Sequence, residues 1–327
     1  MRRFSLTDSN PIIQRHPANP ILSARDVPYP SALVFNAGVV KFAGRYVMLF
    51  RNDYGSPQDR RLDGTNIGLA FSDDGLRWTV EAAPVWQWAD GDVLRVYDPR
   101  LTVIEDRPLV CFALDTLHGI RGGIAATDDF RRFDVLHLTA PDNRNLALFP
   151  EKVGGRYLRL ERPFPVYGRP FVKEWFDIWL SASPDLRYWG DTRLLLGVED
   201  VPFANAKIGP GAPPVKTPAG WLVAFHAVDI DPTRGKNGWE ESWTKRYTAG
   251  LMLLDVDNPA RILGISRQPL MIPEAPYEVD GGFRNNVIFP CGLILEPDGE
   301  VKIYYGAADT TVCLATAHLD DLLALCR

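Results

Sequence analysis

Apolar and polar residues alternate along this chain over strand-length stretches. Tyr46-Val47-Met48-Leu49-Phe50, Leu158 to Leu160, Trp221-Leu222-Val223-Ala224-Phe225 and Val301-Lys302-Ile303-Tyr304-Tyr305 alternate or run apolar, as strands do. These strands belong to a three-part pattern that returns five times. First comes a strand containing Pro or Gly: Phe35 to Val40, Tyr97 to Val103, Leu146 to Val153, Ile208 to Val215 and Val287 to Leu295. A tight turn leads into an alternating strand at Gly44 to Arg51, Asp106 to Ala113, Gly155 to Arg162, Gly220 to His226 and Gly299 to Gly306. The third part ends in an acidic or polar turn before an aromatic or aliphatic residue: Phe71 to Trp78, Ala126 to Phe130, Ser181 to Trp189, Leu254 to Ile262 and Ala315 to Leu323. One small sheet cannot bury both faces alone, so short-strand repeats spaced roughly 50 to 80 residues apart read as propeller blades. The pattern predicts an all-β, five-bladed β-propeller over residues 1–327 as a single domain, with only Leu319 to Leu325 helical.

Composition narrows the function more than the fold. A chain of 327 residues that is 46% hydrophobic can bury a large core. Its net charge of −5 excludes the broad basic face that a nucleic-acid partner requires, so any phosphate site must be local. Cys111, Cys291, Cys313 and Cys326 show no CxxC spacing and predict buried thiols rather than structural zinc; no metal or other cofactor is expected. The first residues, Met1 to Asp8, lack the apolar run of a signal peptide, and no segment approaches a membrane span. The expected location is a reducing cytoplasm.

A propeller brings the innermost strand of every blade to a shared axis. Asp98, Arg144, Arg162, Lys207 and His226, far apart in sequence, then become candidates for one site at a mouth of the channel. Taken singly, each reads as a solvated strand end; their recurrence at matching blade positions argues otherwise. Alternation along Val96-Tyr97-Asp98-Pro99-Arg100 predicts Asp98 and Arg100 on one face. Pro99 cannot donate to a ladder, which predicts a free edge facing the axis. Pro150, Pro290 and the run Gly209 to Pro214 read as shape requirements of narrow inner strands. The longest irregular stretch, Asp229 to Tyr247, carries Trp239, Glu240, Glu241, Trp243, Lys245 and Arg246, and long loops of this kind are commonly functional. Its aromatic faces suit sugar rings, whereas Trp86 and Trp88 read equally as sugar platforms or as plugs between blades.

Eight motifs in order, from about residue 10 to the end, resemble the mannoside phosphorylases of glycoside hydrolase family 130. They are Asn36-Ala37-Gly38, Arg51-Asn52-Asp53, Tyr97-Asp98-Pro99-Arg100, Arg144-Asn145 with Leu148 to Lys152, Lys207-Ile208-Gly209 with Pro213-Pro214, His226, Phe289 to Gly292, and Tyr304 to Asp309. The resemblance implies a five-bladed propeller that cleaves a β-mannoside with inorganic phosphate, inverting it to α-mannose 1-phosphate. It implies Asp98 as general acid, acting through the mannose 3-hydroxyl. Asn36, Arg51, Asp309 and His226 would hold mannose, and Arg144, Asn145, Arg162, Lys207 and Tyr247 would shape the phosphate site.

Physical chemistry supports the same division. An inverting hydrolase needs an acid and a base, with carboxyls about 6.5 to 9.5 Å apart. Phosphate is already nucleophilic, so a phosphorylase can omit the base and needs cations instead. One carboxylate with several cations therefore favours phosphorolysis, and the resemblance implies β-1,4-mannosyl-N-acetylglucosamine or a β-1,4-mannooligosaccharide as the substrate. A hydrolase of the same family and a carbohydrate-binding propeller without turnover are the rival readings. The expected partners are a small oligosaccharide and phosphate, with neither nucleic acid nor membrane; oligomeric state stays open. The acceptor sugar is expected to meet the Asp229 to Tyr247 loop, or else Glu278 to Asn286 with Phe283 and Arg284.

Overall fold

The computed structural model describes residues 8–171, 173–234, 238–239 and 244–327. Among the described residues, twenty-one strands form five antiparallel sheets around an axis. Strand β1 (Gln14–Arg15) precedes the first sheet, which contains β2 (Leu33–Phe42), β3 (Arg45–Ser56), β4 (Arg61–Ser72) and β5 (Thr79–Val80). The second holds β6 (Val93–Ile104), β7 (Arg107–Thr116), β8 (Gly119–Ala126) and β9 (Asp134–Leu138). The third holds β10 (Asn143–Leu148), β11 (Tyr157–Pro163), β12 (Ile178–Ser183) and β13 (Gly190–Leu196). In the fourth, β14 (Lys207–Pro210) and β15 (Val215–Thr217) share the inner edge of β16 (Gly220–Ile230), followed by β17 (Lys245–Leu254) and β18 (Ile262–Ile265). The fifth contains β19 (Ile288–Leu295), β20 (Glu300–Ala307) and β21 (Thr311–His318), and its outermost strand is β1. Each blade thus has an outer strand that the three-part sequence pattern did not reveal. Helix α1 (Pro276–Val279) was not foreseen; α2 (Leu319–Ala324) occupies the expected terminal turn.

The acidic turns of the repeat have one local cause. The carboxylates of Asp74, Asp129, Asp185 and Asp255 each accept hydrogen bonds from two backbone N–H groups two and three residues on. This Asx geometry fixes the exit from the third strand. In the fifth blade α2 replaces it, with His318 at its N-cap.

The core lies between blades. Five large clusters of buried apolar residues each join two consecutive sheets, for example Phe149, Leu160 and Ile178 against Phe203, Trp221 and Phe225. Trp86 stacks on Phe133 and meets Phe112 edge-on within one such cluster, with Trp88 beside it, so these two tryptophans plug a blade interface. Inner strands approach so closely that a Cβ on Gly38 would lie 2.8 Å from the Leu101 nitrogen and 2.9 Å from the Pro99 oxygen. The glycine is therefore a packing requirement of the ring. Cys111, Cys291, Cys313 and Cys326 are free and buried, and burial pushes the Cys111 and Cys291 thiols up to about 12.

Candidate active site

Three inner strands carry the same irregularity. Register slips between Phe35 and Gly38 in β2, between Tyr97 and Arg100 in β6, and between Arg144 and Ala147 in β10. Each bulge holds one residue of positive φ: Asn36 at 51°, Asp98 at 55° and Asn145 at 60°. Asn and Asp enter this region more readily than other side chains, and a bulge re-aims the side chain it contains. All three line one small cavity at the axis, of about 70 Å³. The bulge also overturns the expectation that Asp98 and Arg100 share a face. Arg100 is buried outside the cavity lining, its Nε donating to the Gly211 carbonyl at 2.9 Å. The expected free edge is present, because β6 pairs only with β7.

Of the residues singled out from sequence, Asn36, Arg51, Asp98, Arg144, Asn145, Arg162, Tyr247, Arg284 and Asp309 line this cavity. His226, Lys207 and Phe283 do not. His226 is fully buried behind Arg162 rather than lining the cavity, its ring packed against Phe289 and Tyr247. Lys207 sits beside the cavity with its ammonium 5.1 Å from the Phe176 ring centre and 5.7 Å from that of Tyr247. Phe283 packs edge-on against Trp239 and over Leu33 and Phe35. Sequence reasoning passed over Tyr97, Val287 and Phe289 as lining residues, and Phe164 and Phe176 as plates under the cations. Tyr97 adjoins Asp98 in a motif already noted, but the two phenylalanines flank a stretch without periodicity and leave no signal.

The cavity has an acidic part. Asp98 Oδ1 accepts from Asn36 Nδ2 at 3.0 Å and pairs with Arg51 at 3.4 Å. Arg51 is locked in turn by a two-pronged pair with Asp53 at 2.9 and 2.7 Å, and its guanidinium lies over the Phe35 and Tyr97 rings. Burial favours a protonated Asp98, but Arg51, Arg100, the Asn36 hydrogen bond and Arg144 outweigh it and hold the carboxyl below its usual range. Asp309 goes the other way: burial raises it more than Arg284, at 3.2 Å, and Arg51 lower it.

The basic part is short of anions. Arg144 and Arg162 stand directly opposite each other across β10 and β11, a destabilising juxtaposition of like charges. Arg162 is 1% exposed; NH1 donates to His226 Nε2 at 2.9 Å, while Nε and NH2 have no hydrogen-bond partner. Arg144 NH1 reaches the Tyr97 hydroxyl at 3.3 Å, and its buried Nε is also unpaired. Burial, then the neighbouring Arg144, push Arg162 down to about 9. Burial, with Arg162, Lys245 and Arg144, pushes Lys207 down to about 6. No carboxylate among the described residues pairs with Arg144, Arg162 or Lys207, and buried cations without partners are strongly unfavourable. The group is complementary to a compact anion.

The stretch from Asp229 to Tyr247 is less irregular than its sequence suggests. Both ends belong to β16 and β17, with Asp229 opposite Arg246 and Ile230 opposite Lys245. Buried Asp229 clamps the hairpin by accepting from Arg234 at 2.5 Å and from Arg246 at 2.9 Å. Glu240, Glu241 and Trp243 lie outside the described residues. In the alternative acceptor segment, Glu278 is fully buried and bonded to Arg15 and Tyr305, so it faces the core and not a ligand. Among the described residues no group of three or more His, Cys, Asp or Glu is placed to hold a metal ion, and no helix is long and apolar enough to cross a membrane.

Comparison with known proteins agrees with this geometry. A model of glycoside hydrolase family 130, described as β-1,4-mannooligosaccharide phosphorylase, matches residues 7–327. A β-1,4-mannooligosaccharide phosphorylase of Ruminococcus albus is 32% identical over 97% of this chain and 91% of its own length. A β-1,2-mannobiose phosphorylase of Listeria innocua is 33% identical over 79% of this chain and 67% of its own length. A solved structure of a Listeria innocua β-1,2-mannobiose phosphorylase with β-1,2-mannobiose superposes with a TM-score of 0.81 at 26% identity, covering 96% of this chain and 99% of that one. With a family match over nearly its whole length, this chain belongs to glycoside hydrolase family 130.

Proposed function

We propose that this protein phosphorolyses a β-mannoside with inorganic phosphate, with inversion, giving α-mannose 1-phosphate and a shortened acceptor. One observation carries the reading: buried Arg162 and half-buried Arg144 line the cavity with Asp98, half-buried Lys207 stands beside it, and none of the three has a carboxylate partner among the described residues. Hydrolysis would need no such cation group, and the second carboxylate of the cavity, Asp309, is paired with Arg284. The Ruminococcus relative, matched over 97% of this chain, makes β-1,4-mannooligosaccharides the first substrates to try.

In this reading Arg144, Arg162, Lys207, Asn145 and Tyr247 hold the phosphate, and Asn36, Arg51 and Asp309 hold the mannosyl ring. A phosphate oxygen forms the bond to the anomeric carbon as the glycosidic C–O bond breaks. Asp98 supplies the proton for the departing oxygen, directly or through the sugar 3-hydroxyl, and hydrogen phosphate restores it, so the acid ends each turnover as it began. The lowered proton affinity of Asp98 in the free site works against this role until phosphate is bound. A bound dianion offsets the field of Arg51, Arg100 and Arg144 and raises Asp98 toward the range an acid needs. The test is phosphate-dependent release of mannose 1-phosphate from a panel of β-1,4- and β-1,2-mannosides. Release of free mannose at a rate independent of phosphate would overturn the proposal.

A further inference from the structure

We propose that Arg100 plugs the propeller channel beneath Asp98, so that water from the opposite mouth does not reach the carbon at which phosphate reacts. The proposal rests on the reading of the cavity as a phosphorolytic site. Inner strands that line this polar cavity continue into a second one at the far mouth: Asn36 leads to Val39, Asp98 to Leu101 and Phe289 to Leu293. The far cavity measures about 320 Å³ and is lined chiefly by apolar residues, from all five blades. Only about three or four residues of strand, roughly 10 to 13 Å, separate the two.

Between the cavities the inner strands close on one another at glycines. A Cβ on Gly211 would lie 2.8 Å from the Ala224 and Pro290 oxygens, and one on Gly292 would lie 3.2 Å from the Val39 Cβ. With Gly38 against Pro99, three of the blade junctions are drawn tight at this level. Arg100 fills the centre that remains. Its Nε donates to the Gly211 carbonyl of the fourth blade at 2.9 Å, and its guanidinium lies 5.2 Å from the Phe289 ring centre in the fifth. Core clusters join consecutive sheets around the ring, so neither of these blades adjoins the second, from which Arg100 comes. The side chain therefore spans the axis, and it is only 3% exposed.

An arginine makes a drier plug than an aliphatic side chain would. Buried carbonyls without a donor hold water, and Arg100 satisfies two of them itself, at Gly211 and, through NH1 at 3.0 Å, at Pro99. Its charge also reaches the acid above: against burial, Arg51 and then Arg100 hold the Asp98 carboxyl below its usual range. In the proposed reaction the bound mannoside covers the near mouth, which leaves the axis as the approach for water from below. Excluding water protects a reactive carbon from side reactions. With the path open, a water oxygen would bond to the anomeric carbon as the glycosidic C–O bond breaks. Asp98 would give its proton to the departing oxygen and recover one from the attacking water through solvent, and the product would be free mannose.

The experiment compares Arg100→Ala, which empties the centre of the channel, with Arg100→Met, which loses the same charge but keeps most of the bulk. Cleavage of a β-1,4-mannooligosaccharide is followed without phosphate and at saturating phosphate, and the folded state by circular dichroism. In Arg100→Ala the ratio of phosphate-independent to phosphate-dependent cleavage is expected to rise about 10-fold or more over wild type. Arg100→Met is expected to keep a ratio near that of wild type. Both variants change the field at Asp98 alike, so the difference between them reads the plug. An unchanged ratio in a folded Arg100→Ala protein, or an equal rise in both variants, would overturn the proposal. A wild type that cleaves as fast without phosphate would instead overturn the functional reading beneath it. If Arg100→Ala does not fold, a high-resolution crystal structure of the wild type decides. A dry level at Arg100 supports the plug, and a file of ordered waters running past it between the two cavities would refute it.

Discussion

Replacing Arg162 by methionine is expected to stabilise the protein without anion and to weaken phosphate binding. In the free site Arg162 is fully buried, and burial with the neighbouring Arg144 pushes its proton affinity well below the usual arginine range, to about 9. At about 1.36 kcal/mol per unit this corresponds to roughly 5 kcal/mol of destabilisation at neutral pH, where folded and unfolded states are both charged. Methionine removes that cost but forfeits the contact over Phe176 and the His226 hydrogen bond, which offset about half of it. The remainder, about 1 to 4 kcal/mol, matches what replacing buried ions by apolar groups elsewhere yields. The assay is thermal unfolding at pH 7 with and without phosphate, alongside phosphate saturation kinetics. Wild type is expected to gain stability with phosphate. Arg162→Met is expected to melt a few degrees higher in its absence, to gain less from phosphate, and to show a phosphate KM raised about 10- to 150-fold. A variant that melts lower without anion, yet responds to phosphate as wild type does, would refute the argument that these cations await a dianion.

Asp98→Asn is expected to fold and bind mannoside but lose about 10²- to 10⁴-fold in kcat, measured by mannose 1-phosphate release. If Asp309→Asn showed that loss and Asp98→Asn did not, the acid role would move to Asp309, whose proton affinity is the raised one. Lys207, held near 6 in the free site, is expected to take up close to one proton per phosphate at pH 8, read from binding heats in buffers of different ionisation enthalpy. For the same reason the anion-free protein should gain stability as pH rises from about 6 towards the lysine's unfolded value, because there the unfolded chain holds a proton that the folded one has released. Asp229→Asn, which loosens Arg234 and Arg246, is expected to alter the ranking of glucose, N-acetylglucosamine and mannose as acceptors in synthesis while leaving phosphate KM within a few-fold; an unchanged ranking would remove the hairpin from the acceptor site.

The repeat was legible because each blade carries its own punctuation. Asp74, Asp129, Asp185 and Asp255 close the same turn by the same two hydrogen bonds, so they recur at the same place in the pattern. Short outer strands such as Thr79–Val80 carry no alternation and could not be read. In the site, cations at inner-strand positions were readable because a charge there breaks an apolar run. The direction of Asp98 was not, because period-two reasoning assumes regular pairing and the bulge at Tyr97 to Arg100 breaks it. His226 was misplaced for a related reason: sequence shows that a histidine interrupts Trp221 to Val228, but not which neighbour it faces. That choice is made by the absent side chain at Gly209, a residue distant in the chain.

Strand β1 contributes two residues to the last sheet, yet the chain that follows it runs along β21 through bonds of His16, Asn19, Ile21 and Leu22 to Val312 and Leu314. Arg15 adds an ion pair to buried Glu278. Strand β1 is therefore made well before β21, the strand that receives it. Asn36 and Asp98 are synthesised early, whereas Asp309 and the edge that receives β1 come near the end. A chain made only through the fourth blade can stack four sheets but can neither seal the ring nor complete the cavity that Asp309 lines.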